Sequence, residues 1–308
     1  MKSISISLFL SLLICGFSAC SSNLAEIEDE EEPIASPIEQ LKGTGDLTFT
    51  TYAPFSNQPI EIYYHIPENT NSNTPIIFIF HGGGRNAEEY RNASISKANE
   101  YGFIAVIPEF SNASFPGGDS YNLGNIFTDG DNPSSATLVA EEAWTFSVID
   151  PIFNFIKPKT NSTLLKYHMI GHSAGGQFAH RLVLFKPEAN FDKVVISASG
   201  WYTVPDVSID FPYGLKKSPL ENSDLSNLFI KKMRIQVGEL DNNPNTSGLR
   251  HNQYSDAQGF NRHDRAQHFF SRSKAIAENS FKWTLQVNQG LDHSFAPAIK
   301  KAADLLFK

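Results

Sequence analysis

The sequence predicts an α/β fold, a mostly parallel central sheet with helices on both faces. Three observations predict it: short apolar runs alternate with stretches of helical spacing, a glycine run ends one buried-type strand, and a Gly-x-Ser-x-Gly pattern stands between a strand and a helix. The chain has 308 residues, 41% apolar and 19% charged, which is enough core for one large domain and too little charge for a disordered chain. Its formal net charge is -8 and no block of Lys or Arg interrupts it, so the attraction that nucleic-acid binders depend on is missing. Nucleic acid is not expected as a partner.

The N-terminus reads as a leader. Lys2 precedes the apolar stretch Ile4 to Phe17, which is short for a membrane span and of the right length for the hydrophobic region of a signal peptide. It ends in Gly16-Phe17-Ser18-Ala19-Cys20, which resembles the bacterial lipobox, where small residues precede a cysteine that is lipidated and becomes the new N-terminus. The only cysteines are Cys15 and Cys20, so the mature chain is expected to hold no intramolecular disulfide. After Cys20 the acidic run Glu28 to Glu32 and two prolines make a stretch too charged to pack. That run also resembles the surface-export signal of some bacterial lipoproteins. The expected organisation is therefore a lipoprotein signal peptide over 1–19, an acidic tether over 20–42 and a folded domain over 43–308. Its expected location is extracytoplasmic, on the periplasmic side or the cell surface, with membrane contact through the lipid anchor only. The oligomeric state is not legible.

Along the folded part, Asp46 to Tyr52 and Ile60 to Ile66 gather β-formers on either side of a turn segment, as two antiparallel strands do. Pro75 to Phe80 is a continuous apolar run that stops at His81-Gly82-Gly83-Gly84, the pattern of a strand buried on both faces and followed by a tight turn. Phe103 to Ile107 reads as another buried strand, Ala136 to Ile156 has helical spacing, and Tyr167 to Ile170 is a short apolar strand. A helix is expected from Ala174 to Phe185, strands at Lys193 to Ser197, Arg234 to Val237 and Phe281 to Val287, and a helix at the C-terminus. Two long interruptions, Phe110 to Pro133 and Trp201 to Lys232, both follow strand ends, where such folds build their sites, and are expected to form the rim of a pocket.

Four features carry chemistry. Gly171-His172-Ser173-Ala174-Gly175 has a strand before it and a helix after it, so Ser173 is placed on a sharp turn at a helix N-terminus, where backbone N–H groups favour developing negative charge. The glycine run at His81 to Gly84 lets backbone approach a substrate without a Cβ in the way. The N–H groups of Gly83 or Gly84 and of Ala174 are the expected oxyanion donors; Arg85 is the weaker choice, its side chain free to stay on the surface. Gly238-Glu239-Leu240-Asp241 leaves the end of a strand, and Asp241, in an Asn/Pro-rich loop, is the expected acid, with Glu239 as the fallback. Of nine histidines, His293 alone stands after the last strand, where it can act as the base for Ser173; Asp292 is its neighbour in sequence, and since neighbouring side chains diverge it is not assigned the acid role.

The order Ser173, Asp241, His293 resembles that of the α/β-hydrolase superfamily from about Gly45 to the C-terminus. The His-Gly-Gly-Gly loop, the Gly-His-Ser-Ala-Gly-Gly turn and Gly290-Leu291-Asp292-His293 look like secreted esterases of the polyhydroxybutyrate-depolymerase and feruloyl-esterase kind. This resemblance implies that 43–308 is a catalytic domain that hydrolyses carboxylic esters, small or polymeric, through an acyl-enzyme, with neither metal nor organic cofactor. Two other readings stand beside it: a serine peptidase of the prolyl-oligopeptidase type, and an inactive binding lipoprotein on the same scaffold. Asp129-Gly130-Asp131-Asn132 lacks the later ligands of a calcium loop, and His263 and His268 lack helical metal spacing, so no metal site is expected. Trp201, Tyr202 and Phe211 fit an acyl pocket or the core equally. Gln258-Gly259-Phe260-Asn261-Arg262, continuing to Arg265 and Phe269, has no assignable role from sequence.

Overall fold

The structure is a computed structural model that describes residues 38–277 and 280–308. The expected signal peptide, the lipidation site Cys20 and most of the tether lie outside the described residues. The tether's last residues are held by the fold: the Leu41 N–H donates to Lys159 O, 2.9 Å, and Gln40 Nε2 to Pro158 O, 3.0 Å.

Eight strands form one sheet in the order β1-β2-β4-β3-β5-β6-β7-β8. They are β1 Gly43–Phe49, β2 Ile60–Ile66, β3 Ile76–Phe80, β4 Ile104–Glu109, β5 Tyr167–His172, β6 Phe191–Ser197, β7 Lys232–Gly238 and β8 Thr284–Asn288. β2 runs antiparallel to both β1 and β4, and every pairing from β4 through β8 is parallel. The side-chain alternation of β3 sorts Ile76, Phe78 and Phe80 into one apolar cluster and Ile77 and Ile79 into the other, so the strand is buried on both faces. Helices α1 (Ala87–Tyr101) and α7 (Phe295–Phe307) cover the Ile77 face; α2 (Ile149–Lys159), α3 (Ala174–Phe185) and α6 (Arg262–Ala277) cover the other. Two single-turn helices, α4 (Ser226–Phe229) and α5 (Gln253–Asp256), lie in connections.

The helix expected over Ala136 to Ile156 is only half present. Glu141–Ala143 and Thr145–Val148 are 3-10 turns separated by the extended residue Trp144, and the α-helix begins at Ile149. The backbone there bonds across the chain instead of along it: the Thr145 N–H donates to Gly124 O and the Val139 N–H to Ile126 O. The Trp144 indole donates to Val139 O, 2.9 Å. Tertiary partners thus replace the helical ladder that the spacing alone favours. Helix α1 has no sequence forecast for a related reason. Its buried face is Ala87, Tyr90, Arg91, Ser94 and Ala98, too polar and too small to show as an apolar stripe.

Candidate active site

Ser173 follows β5 and opens α3 with φ 56 and ψ -117, a strained conformation for a residue with a Cβ, of the kind that persists where the surroundings over-determine it. Its N–H donates to Ser197 O on β6, 2.8 Å, and its carbonyl accepts the Gln177 N–H, 3.0 Å, so the same residue ends a strand ladder and begins a helix. The flanking glycines are required by contact. A Cβ on Gly171 would lie 2.1 Å from Gly175 O, and one on Gly175 would lie 2.0 Å from Phe80 O. Ser173 caps no helix N–H with its hydroxyl, which leaves the oxygen to another partner.

That partner is His293. His293 Nε2 stands 3.1 Å from Ser173 Oγ, and His293 Nδ1 stands 2.6 Å from Asp241 Oδ2. Asp241 side-chain exposure is 2%, so the imidazole links a part-exposed hydroxyl to a buried carboxylate. Glu239 instead accepts the Gly290 N–H at 3.0 Å, and Asp292 accepts that of Ser294 at 2.9 Å. The three residues expected to act together are the three the fold brings together.

The glycine loop meets the serine directly: a Cβ on Gly82 would lie 3.6 Å from Ser173 Cβ. Gly83 and Gly84 are exposed, and among the described residues their N–H groups donate to no protein acceptor. Ala174 is the first residue of α3, so its N–H has no intrahelical acceptor. The loop is held from below by His81. Phe110 N–H donates to His81 Nε2, 3.1 Å, which leaves Nδ1 to donate to Gly82 O, 3.0 Å. Tyr121 hydroxyl donates to His81 O, 2.7 Å. Arg85 departs from expectation. Its side chain is half-buried, donates to Phe110 O and Gly117 O, and lies 4.3 Å over the Tyr121 ring. It fastens the first insertion to the glycine loop because its guanidinium finds carbonyls there that would otherwise be left unpaired.

A second support reaches the site from the sheet. Asn288 Nδ2 donates to Gln236 Oε1, Gln236 Nε2 donates to Ser197 Oγ and to Ala298 O, and His172 Nδ1 accepts from Ser197 Oγ at 3.1 Å. His172 Nε2 then donates to His293 O, 3.2 Å, so a buried relay anchors His293 by its own backbone. Tyr90 of α1 stacks on Phe295 just past His293, ring centroids 4.5 Å apart.

Burial pushes His81 down to about 4 and His172 down to about 3, the latter aided by nearby His293. Both are therefore neutral in the fold. The unfolded chain, with ordinary values near 6.5, takes up protons below that pH that the fold refuses, so their contribution is full above pH 6.5 and is lost as pH falls toward 4 for His81 and toward 3 for His172. At pH 5 the expected loss is on the order of 2 kcal/mol for each. Thermal melts at pH 7 and pH 5 should differ by roughly 10 °C; melts that coincide would refute the assignment.

The remaining sequence candidates resolve into structure. Tyr202 stacks on Phe269 at 4.5 Å, Phe211 packs on Phe127 and Phe185, and Trp201 lies between Arg181 at 4.2 Å and Arg250 at 5.4 Å. All three belong to the core. A cavity of about 420 Å³ lies beneath the second insertion, lined by Val204, Ile209, Tyr213, Tyr254 and His268 among others. Asp129 folds back on Asn132 with both its oxygens, and one oxygen of Asp131 pairs with Arg250. Among the described residues no three metal-ligating side chains gather, and no helix is long and apolar enough to cross a membrane.

A mostly parallel eight-stranded sheet with a serine on its central strand-to-helix turn, a glycine loop after β3 and a histidine after β8 defines the α/β-hydrolase class. The comparisons agree. Poly(aspartic acid) hydrolase-1 from Sphingomonas sp. KT-1 is 34% identical over 87% of this chain and 100% of its own, with a TM-score of 0.81. The LpqC poly(3-hydroxybutyrate) depolymerase from Bordetella parapertussis is 29% identical over 87% and 90%, with a TM-score of 0.79. S-formylglutathione hydrolase from Agrobacterium tumefaciens, 17% identical over 87% and 95% with a TM-score of 0.54, shares the fold. No protein-family model and no curated protein matches the sequence. The chain belongs to the α/β-hydrolase superfamily, and these relatives are hydrolases and a depolymerase. It is an enzyme of hydrolase type.

Proposed function

We propose that the chain cleaves carboxylic esters with Ser173 as nucleophile, His293 as general base and acid, and Asp241 as the group that orients the imidazole. The observation that carries this reading is the hydrogen-bonded line in which His293 stands 3.1 Å from Ser173 Oγ and 2.6 Å from Asp241 Oδ2. His293 Nε2 takes the Ser173 proton as Oγ bonds to the ester carbonyl carbon, and the carbonyl oxygen becomes an oxyanion. The N–H groups of Gly83 or Gly84 and of Ala174 face that charge. Collapse breaks the bond to the alkoxy oxygen, which leaves with the proton from His293, and an acyl-Ser173 remains. Water, deprotonated by the same imidazole, then releases the carboxylic acid and restores the serine. The steps need neither metal nor organic cofactor.

A Cβ on Gly83 would meet nothing within 4 Å, so the loop opens outward and leaves room for a bulky or polymeric ester. Together with the leader and Cys20, that favours an extracytoplasmic carbohydrate or environmental ester met by a lipid-anchored enzyme. Pre-steady-state hydrolysis of p-nitrophenyl acetate by the purified domain is the test. A burst of about one nitrophenolate per chain is expected, from rapid acylation followed by slower deacylation. A folded chain that releases no nitrophenolate would sink the reading and leave an inactive binding protein in its place.

A further inference from the structure

Arg262 sits behind the carboxylate that faces His293. Its Nη1 lies 3.6 Å from Asp241 Oδ1, with side-chain exposures of 4% and 2% for the two partners. Its Nε and Nη1 are buried without a hydrogen-bond partner. A guanidinium buried with donors unmet is costly, and an apolar side chain would avoid that cost only by leaving the Asp241 carboxylate buried without a counter-ion. Its charge is what such a side chain would lack.

The stretch that had no role in the sequence builds this contact. Gln258 clamps Tyr202 by both backbone groups, at 2.9 and 2.8 Å. Gly259, at φ 129, takes a turn in which a Cβ would strike Asp264 Cβ at 2.5 Å. The Asp264 N–H donates to Asn261 Oδ1, 2.9 Å, which caps the start of α6. Arg265, fully buried, donates to Gly259 O, Gly200 O and Asp256. The His263 N–H donates to Asp241 O, 3.1 Å. The first turn of α6 is thus locked against the Asp241 loop, with Arg262 facing one carboxylate oxygen and His293 the other.

We propose that Arg262 is a positioning residue for the Ser173–His293–Asp241 line, its charge balancing the buried carboxylate so that the line stays ready to act to lower pH. This rests on the reading of Ser173 as nucleophile. With Arg262 present the ready state of the buried set carries no net charge, and an added proton makes it positive. Without it the ready state is a buried anion, which proton uptake neutralises. The neighbours leave Arg262 as the cation on Asp241. From β5, His172 is neutral; from the β6 side, burial holds the Tyr202 hydroxyl in its neutral form. On α6, His263 turns to Asp264 and Arg265 pairs with Asp256. Beside His293, Asp292 caps Ser294.

The test is the rate at which a fluorophosphonate probe labels the full chain across pH 5 to 9, for wild type, Arg262→Met and Arg262→Lys. The acidic limb should move up by about one pH unit in Arg262→Met, a roughly tenfold loss of rate at pH 6 with the plateau retained. Arg262→Lys should bring the limb back toward wild type. Limbs that coincide in wild type and Arg262→Met would overturn the inference. Should Arg262→Met not fold, Arg262→Gln, which keeps a donor and removes the charge, is read by the same criterion. A wild type that takes up no probe would instead remove the nucleophile reading on which the inference stands.

Discussion

Ser173→Ala should lower turnover of a responsive ester by about a million-fold while the protein keeps its melting temperature to within a few degrees. The size follows from what is lost. In the proposed mechanism every covalent step passes through Oγ, and an alanine would leave only the N–H donors at the glycine loop and α3 to polarise a bound carbonyl, with no nucleophile to offer it. The small effect on stability follows from geometry: Ser173 Oγ caps no helix N–H, and its protein contact is the His293 imidazole. Substrate binding should be little changed, so the loss falls on kcat. Steady-state kinetics beside a thermal melt of the same preparation check both halves.

Asp241→Asn should cost about ten-thousand-fold in kcat. The carboxylate accepts from His293 Nδ1 at 2.6 Å, which fixes Nε2 as the atom without a proton, facing Ser173. An amide can present its NH2 group to Nδ1 and so favour the opposite tautomer, in which Nε2 carries the proton and cannot take one from serine. A second cost falls on stability, since Arg262 would be left as a buried charge with no counter-ion, a change worth about 3–5 kcal/mol when one partner of a buried pair is removed. Unlike Ser173→Ala, this variant should therefore melt well below wild type. An Asp241→Asn enzyme with kcat within tenfold of wild type would move the acid role to another residue.

Much of the site was legible in the sequence because local rules and chain order point the same way there. Gly171, Gly175 and Gly176 stand where a Cβ would strike backbone or Ser199, so a pattern of glycines is a direct record of close packing. Asp241 and His293 could be chosen over Glu239 and Asp292 because strand ends set which residues reach the serine. What stayed hidden depends on partners distant in sequence. Arg85 reads as a surface arginine until Phe110 O and Gly117 O are brought to it. The relay from Asn288 through Gln236 and Ser197 to His172 joins four strands that no spacing rule links.

The fold shows the same division. Strands β2 and β3 and helix α3 stand within a residue of the sequence reading, because prolines flank β2, β3 is uniformly apolar and glycines mark the turn that opens α3. Helix α1 escaped because Arg91 and Ser94 lie on its buried side, and α6 because its inner face begins with Arg262 and Arg265. The signal in Gln258 to Arg262 was an accumulation of polar and glycine residues with no apolar period to explain them. Its cause is a helix start fastened to the Asp241 loop.

Labelling of the purified chain with one equivalent of a fluorophosphonate probe, followed by peptide mapping, tests the assignment of Ser173 most directly. One adduct per chain on the peptide carrying Ser173, absent from Ser173→Ala, is the expected result. A folded wild type that takes up no probe, or an adduct that persists in Ser173→Ala, would contradict it.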